Sequence, residues 1–240
     1  MGADMNKYLD SGNEARIKKA YESRDPRLQM AVITPYAQYN GASSGIAHTY
    51  TLRWPYRGSD SAEPFDIRTD TNDKFYYLWR KFVPEGLEQT ERDTYGLDIP
   101  LIRYAEVLLL KAEALNEWGS THESEAIRCV NEVRRRAGHV ELNNATYPAT
   151  KVNGQSDLRE RIRNEYYWEI GGEDSMYFHE LRWGTWKDKK FDNNRNGLMQ
   201  MWGETTYTWY WLGDQCWSWP IPAKEMEMNS NLEQNEGWIN

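Results

Sequence analysis

The sequence predicts a mainly α-helical protein: a tetratricopeptide-like helical hairpin plus further helices, with long irregular loops and a few short strands. Three observations carry this expectation. Residues 101–118 hold an apolar stripe of helical period, residues 126–137 repeat it, and the segments 36–98 and 187–218 lack any such period.

Residues 1–30 begin polar and helical. Pro26 pushes Asp25 out of the α region, so that helix stops there. Val32, Ile33 and Thr34 are β-branched and predict a short strand within 29–35. Residues 36–98, rich in Gly, Ser, Asp, Pro and aromatics, read as loop with short strands around Phe75–Phe82. So long an irregular stretch in a compact domain is usually functional. Next, Leu101, Ala105, Leu108, Ala112 and Leu115 are spaced 4, 3, 4, 3, one stripe on a helix. Pro100 suits its first turn and Gly119 its stop. Ala126, Val130, Val133 and Ala137 continue the pattern, and Gly138 closes it. Alanine at the seam predicts a closely packed antiparallel hairpin, close to the about 34-residue unit of tetratricopeptide repeats. A third helix is expected from Ser156 or Asp157, with Glu160 in capping-box spacing from Asp157, to about Ile170, where Gly171-Gly172 breaks it. A short fourth helix covers 174–183. The whole, 1–240, reads as one domain. Within it, 36–98 is the loop-rich ligand segment, 100–138 the hairpin, 156–184 the third and fourth helices, and 187–240 a Trp-rich loop and closing motif.

The composition excludes several functions. A net charge of −8 and a pI near 5.2 repel phosphate backbones, so no nucleic-acid partner is expected. The run Arg134–Arg136 ends a helix, where cations complement its dipole. No stretch approaches the roughly 20 apolar residues of a membrane span. Residues 1–20 contain no apolar core of a signal peptide. Cys129 and Cys216 lack zinc spacing, and their disulfide status is left open. The four histidines have no metal-ligand spacing, and neither a G-x-S-x-G elbow nor a phosphate loop occurs. No cofactor, no metal and no catalytic residue is expected.

Two groups of residues remain. Glu165, Glu169 and Glu173 fall at i, i+4 and i+8, on one face of a continuous helix. Paired carboxylates serve glycoside hydrolysis. They also pair with arginines such as Arg103, Arg134, Arg136 and Arg182 to fix helix against helix. The second reading is preferred, with Glu165 and Glu169 largely buried. The other group is aromatic. The chain has 12 Trp and 16 Tyr against 5 Phe, a preference for rings with a polar edge. A sugar ring offers a flat C–H face and a rim of hydroxyls, which suit an aromatic face and polar neighbours. Tyr36, Tyr39, Trp54, Tyr56, Arg57 and Trp79 are the expected glycan-binding residues. Trp54 and Tyr56 lead, because Pro55 stiffens the chain between them. The Trp-rich segment 202–219 competes. Trp209, Trp211, Trp217 and Trp219 fall on odd positions, as expected for one buried face of extended chain.

The motifs also resemble a known family. Pro100-Leu101-Ile102-Arg103-Tyr104-Ala105-Glu106, running on to Ala112-Glu113-Ala114, is similar to the hallmark helix of SusD/RagB proteins. Asn131-Glu132-Val133-Arg134 and Arg136-Ala137-Gly138 resemble its next helix. Glu165, Glu169, Glu173 and Leu181-Arg182-Trp183-Gly184 resemble the third signature. Pro220-Ile221-Pro222 with Asn229, Leu232, Gln234-Asn235 and Gly237-Trp238 resembles the closing motif, and Arg24–Leu28 the RDPRL segment. Tyr166 stands where the family usually has Arg, and Asp174-Ser175-Met176 replaces its usual Gly-x-Arg. The resemblance implies a glycan-binding surface lipoprotein of the outer membrane, not an enzyme. It would capture oligosaccharide or polysaccharide for a SusC-like TonB-dependent transporter. It further implies that this chain corresponds to the carboxy-terminal half, with the lipid anchor on an amino-terminal part. A tetratricopeptide-type protein-binding scaffold without sugar binding is the alternative.

Overall fold

The structure, a computed structural model, describes residues 24–34, 37–43, 45–53, 67–68, 78–87, 98–173, 175–191 and 211–238, with Lys19, Tyr21, Glu22 and Gly96. The chain divides into two compact units, residues 1–176 and 177–240.

In the first unit, helix α1 (Pro26–Ala31) runs straight into strand β1 (Val32–Ile33). Pro26 occupies the first turn, where its missing N–H costs nothing. Asp25, held extended before it, accepts the Arg27 N–H at 2.9 Å. The expectation that Pro26 only ends a helix is therefore incomplete, because it also opens one. Strands β2 (Gln38–Ser43) and β3 (Ile46–Arg53) form an antiparallel hairpin, with Tyr39 opposite Tyr50 and Ser43 opposite Ile46. Gly45, at φ 76°, supplies the left-handed residue that a two-residue turn needs. Strand β4 (Ile67–Arg68) pairs parallel to β3, and β5 (Leu78–Trp79) pairs antiparallel to β1. The segment read as loop thus contains a regular hairpin, while β5 falls inside the expected Phe75–Phe82 region.

Helices α2 (Tyr104–Trp118) and α3 (Glu123–Arg136) form the predicted hairpin, joined through the 3-10 turn Ser120–His122. The seam alanines Ala112 and Ala126 are fully buried, together with Leu109 and Val130. Small side chains there let the two backbones approach. Helix α2 begins later than the stripe suggests, leaving Leu101 exposed. Arg103, in extended conformation at the cap, turns its guanidinium to the acids described below. Helix α4 (Gln155–Glu169) packs on both, burying Leu158, Ile162, Tyr166 and Ile170. Its cap is Gly154, not Ser156 or Asp157. Asp157 instead reaches back to the Asn153 N–H at 2.9 Å. Tyr166, placed where arginine was expected, fills the core.

Helix α5 (Ser175–Arg182) belongs to the second unit from Tyr177 on, and there it and α6 (Trp186–Phe191) are followed, beyond an undescribed interval, by a 3-10 turn at Asp214–Trp217 and by α7 (Ala223–Met228). Trp211 and Trp217 meet at 5.0 Å between ring centres. Trp219 is 71% exposed, so the expected buried face of extended chain is not what forms. The 3-10 turn removes the two-residue alternation on which that reading relied. Trp202 and Trp209 lie outside the described residues. No helix among the described residues is long and apolar enough to cross a membrane.

Candidate functional site

The three signature acids are drawn into one ionic cluster. The 3.6-residue period brings Glu165 and Glu169 to the same side of α4, and Glu173 follows past the Gly171-Gly172 break. Glu165 is fully buried. Its Oε2 accepts a bond from Arg134 Nη1 at 2.8 Å. Its Oε1 lies 2.7 Å from Arg27 Nη1, without an aligned hydrogen bond. Glu169 is shared among three guanidiniums: Arg27 at 3.1 Å, Arg103 at 3.0 Å, and Arg136. Glu173 takes three bonds from Arg103, at 3.1, 2.9 and 2.7 Å, and one from Lys81. Lys81 Nζ also caps α4, donating to the Glu169 carbonyl at 3.0 Å. Trp168 lies against both Arg27 and Arg134, with ring centre to guanidinium distances of 6.0 and 5.8 Å.

Burial drives the electrostatics. It pushes the Glu165 carboxyl above its ordinary value, against the opposing pull of Arg27 and Arg134. Glu173 is also penalised by burial, but Arg103 and Lys81 more than offset this and hold it below the usual range. Asp25 is lowered in the same way by Arg27. Arg27 and Arg103 are correspondingly held protonated. The predicted partners Arg103, Arg134 and Arg136 are confirmed. Arg182 differs: its Nε donates to His179 Nδ1 at 3.0 Å, within the second unit. Arg27, Lys81 and Asp25 were missed as members. Asp25 and Lys81 lie outside the helices and Arg27 in a helix of only six residues, so no helical spacing could flag them.

Of the expected glycan contacts, Trp54, Tyr56, Tyr36 and Arg57 lie outside the described residues. Tyr39 is buried, 5% exposed, and its hydroxyl donates to the Pro84 carbonyl at 3.0 Å. It offers no ring face to a sugar and is removed from the set. Its flanking polar residues Gln38 and Asn40, both exposed, were the signal for an inward-facing strand position. Trp79 is 56% exposed. One edge of its ring sits over Gly172, 2.8 Å from where a Cβ would stand, and Gly172 has φ +83°. Only glycine fits beneath that indole. The described residues contain no group of three His, Cys, Asp or Glu side chains able to hold a metal.

Two cavities adjoin the cluster, and Trp168 lines both. One, of about 440 Å³, lies beside α1, Phe82 and Arg136. The other, of about 640 Å³, lies beside His139, Tyr147 and Arg161.

Comparison with known proteins places this architecture. The model of the SusD family matches residues 5–238. A SusD-like protein of Formosa agariphila is 32% identical over 139 residues, covering 58% of this chain and 24% of its own length. The starch-binding protein SusD of Bacteroides thetaiotaomicron is 28% identical over 161 residues, 67% of this chain and 25% of that protein. Among solved structures, a SusD-like protein from Bacteroides fragilis superposes with a TM-score of 0.57 at 23% identity, covering 92% of this chain and 40% of that one. A SusD homologue from Bacteroides thetaiotaomicron gives 0.53 at 20% identity, covering 98% and 43%. The chain thus spans about a quarter of the curated relatives it matches.

Proposed function

The chain belongs to the SusD family, and from that premise we propose that it serves glycan capture at the outer-membrane surface, delivering oligosaccharide to a SusC-like transporter from a lipid-anchored protein. The observation that carries this is the family match along 5–238, joined to the starch-binding activity named for the Bacteroides thetaiotaomicron relative. The contact residues in this reading are Trp54, Tyr56, Tyr36, Arg57 and Trp79. Trp54 and Tyr56 directly follow the end of paired strand β3, a rigid mount for a recognition loop.

Catalysis is not part of the proposal. Each of the three signature acids is held by at least two cations and is nearly closed to solvent, with side-chain exposures of 0, 3 and 7%. Only Glu169 reaches a cavity wall, and no second acid of the three stands across that cavity from it as a hydrolytic pair must. A second reading, a protein-binding scaffold, draws support from the outer face of α2. There Tyr104 and Trp118 are 68% and 75% exposed, and Val107 is exposed between them. Calorimetry against soluble oligosaccharides, including maltooligosaccharides, separates the two readings. Glycan capture requires saturable heats. It also requires that Trp54→Ala keep its Tm while losing about 1–3 kcal/mol of affinity, the range for aromatic stacking on flat rings. Silence across the panel favours the scaffold.

A further inference from the structure

We propose that the 440 Å³ cavity beside α1 is a second ligand site, separate from the 36–79 segment, and that it takes an acidic sugar ring, a uronate within an oligosaccharide. The proposal rests on the glycan-capture reading for the class of ligand and on the cavity itself for the charge.

The first ground is Phe82. It stands at φ 61°, a left-handed conformation that a bulky L-residue rarely adopts. Asn143 has the same conformation, but its type tolerates it, and its Oδ1 accepts the Val152 N–H at 2.7 Å. Phe82 has no polar group with which to make such a bond. Its neighbours are all anchored. Trp79 rests on Gly172. Arg80 donates to Glu85 at 2.6 Å and to the Gln38 carbonyl at 2.7 Å. Lys81 is held by Glu173 and by two carbonyls at the end of α4. Phe82 is the residue this clamped turn displays, 37% exposed and facing the cavity. Strain kept at an over-determined position is a mark of function rather than of packing.

The second ground is what surrounds it. Trp168 (43% exposed), Met30 (72% exposed) and Ala31 line the same cavity, giving apolar surface on more than one side. Among the described residues the adjoining cluster contains five cations (Arg27, Lys81, Arg103, Arg134, Arg136) and four carboxylates (Asp25, Glu165, Glu169, Glu173), an excess of one positive charge, and Arg27, Lys81, Arg103, Arg136 and the Glu169 carboxylate line the cavity itself. Four of the cations are buried or mostly so. Arg136 is not: its side chain is 58% exposed, and its partner, Glu169, is already shared with Arg27 and Arg103. The unbalanced charge therefore emerges at the cavity wall on a guanidinium with donors to spare. A guanidinium fork matches a carboxylate, and the aromatic faces match a sugar ring's C–H face. A uronate carries both features on one ring.

The test titrates oligogalacturonate of defined length, with free galacturonate and neutral maltoheptaose in parallel, into the parent, Phe82→Gly, Arg136→Gln and Arg135→Gln proteins. We expect oligogalacturonate to bind the parent more tightly than the free monosaccharide. Phe82→Gly should weaken it roughly tenfold or more, as loss of one stacking face implies. The same variant should hold or raise Tm, because glycine is at ease at that φ. Arg136→Gln should weaken binding and flatten its salt dependence, and Arg135→Gln, which removes a neighbouring surface cation outside the cavity, should leave it unchanged. The site is overturned if oligogalacturonate does not bind, or if Phe82→Gly binds it as the parent does. It is also overturned if Arg135→Gln weakens that binding as much as Arg136→Gln does. Maltoheptaose binding without oligogalacturonate binding defeats this site but spares the glycan-capture reading. Silence from both ligands removes the two together.

Discussion

The two units close themselves by different chemistry. The first is tied by charge. Arg27, from a short helix near its beginning, meets Glu165 and Glu169 near its end, under a lid of Trp168. The second has an exposed ion pair, Lys187 with Asp214 at 2.8 Å, but its closing motif is tied by neutral groups. Gln234 brackets Ile221, accepting its N–H at 2.8 Å and donating to its carbonyl at 2.9 Å. Asn235 Nδ2 donates to the Trp219 carbonyl at 2.6 Å, and Trp238 Nε1 to that of Ser218 at 2.9 Å. Both closures use motif residues, yet they should respond to different insults. A buried ionic lattice fails badly when one member is removed, because the others keep their desolvation cost. Amide and indole bonds to exposed backbone fail one at a time.

The comparison breaks hardest at Arg27. Arg27→Ala strands charge on Glu165 and Glu169, and should cost about 3–5 kcal/mol in urea unfolding. A loss under 1 kcal/mol would show that the ionic closure is dispensable. Next comes acidity. Glu173 and Asp25 are held below their ordinary values of 4.5 and 3.8. Their stabilisation is present above those values and disappears as pH falls through the lowered ones. Glu165 has the opposite sign. Raised above 4.5, it binds its proton more tightly folded than unfolded. Stability therefore declines as pH climbs from 4.5 through the raised value. In Tm–pH profiles, Glu173→Gln should flatten the acid limb. Glu165→Gln should remove the decline above pH 4.5 while keeping that limb. Identical profiles for the two variants would refute this division. A smaller effect is expected at Gln234→Ala, about 1 kcal/mol. It should appear as faster hydrogen exchange at the Ile221 amide and be insensitive to salt. Smallest is Arg135→Ala. Its bidentate pair with Glu141 lies on the surface and is screened, so Tm should not move.

The helical part was legible because its information is local. Ala112 and Ala126 at the seam, Glu165 and Glu169 on one face, and the break at Gly171-Gly172 all follow from a 3.6-residue period. The ionic partners were only half legible. Arg103, Arg134 and Arg136 lie on or beside long periodic helices, whereas Arg27 sits in a six-residue helix and Lys81 in a turn, where charge gives no direction. Arg182 had the right charge, but its Nε donates to His179. The hairpin of β2 and β3 was hidden by polar residues on both faces, such as Gln38 and His48. Among the ring residues, composition could count tyrosines but not tell buried Tyr39 from displayed Phe82. Phe82 is conspicuous through a backbone angle, which no residue pattern announces.

The reach of the Arg27 bridge also sets an order in time. Arg27 and Glu169 are 142 positions apart. The α2–α3 hairpin needs only contacts between near neighbours, and contacts of that kind form early. On the ribosome, α1 must wait with its arginine unpaired until α4 has emerged, roughly 7–28 seconds at about 5–20 residues per second. The ionic closure is therefore a late step of biosynthesis, and a chain interrupted before residue 165 would carry its hairpin without its lock.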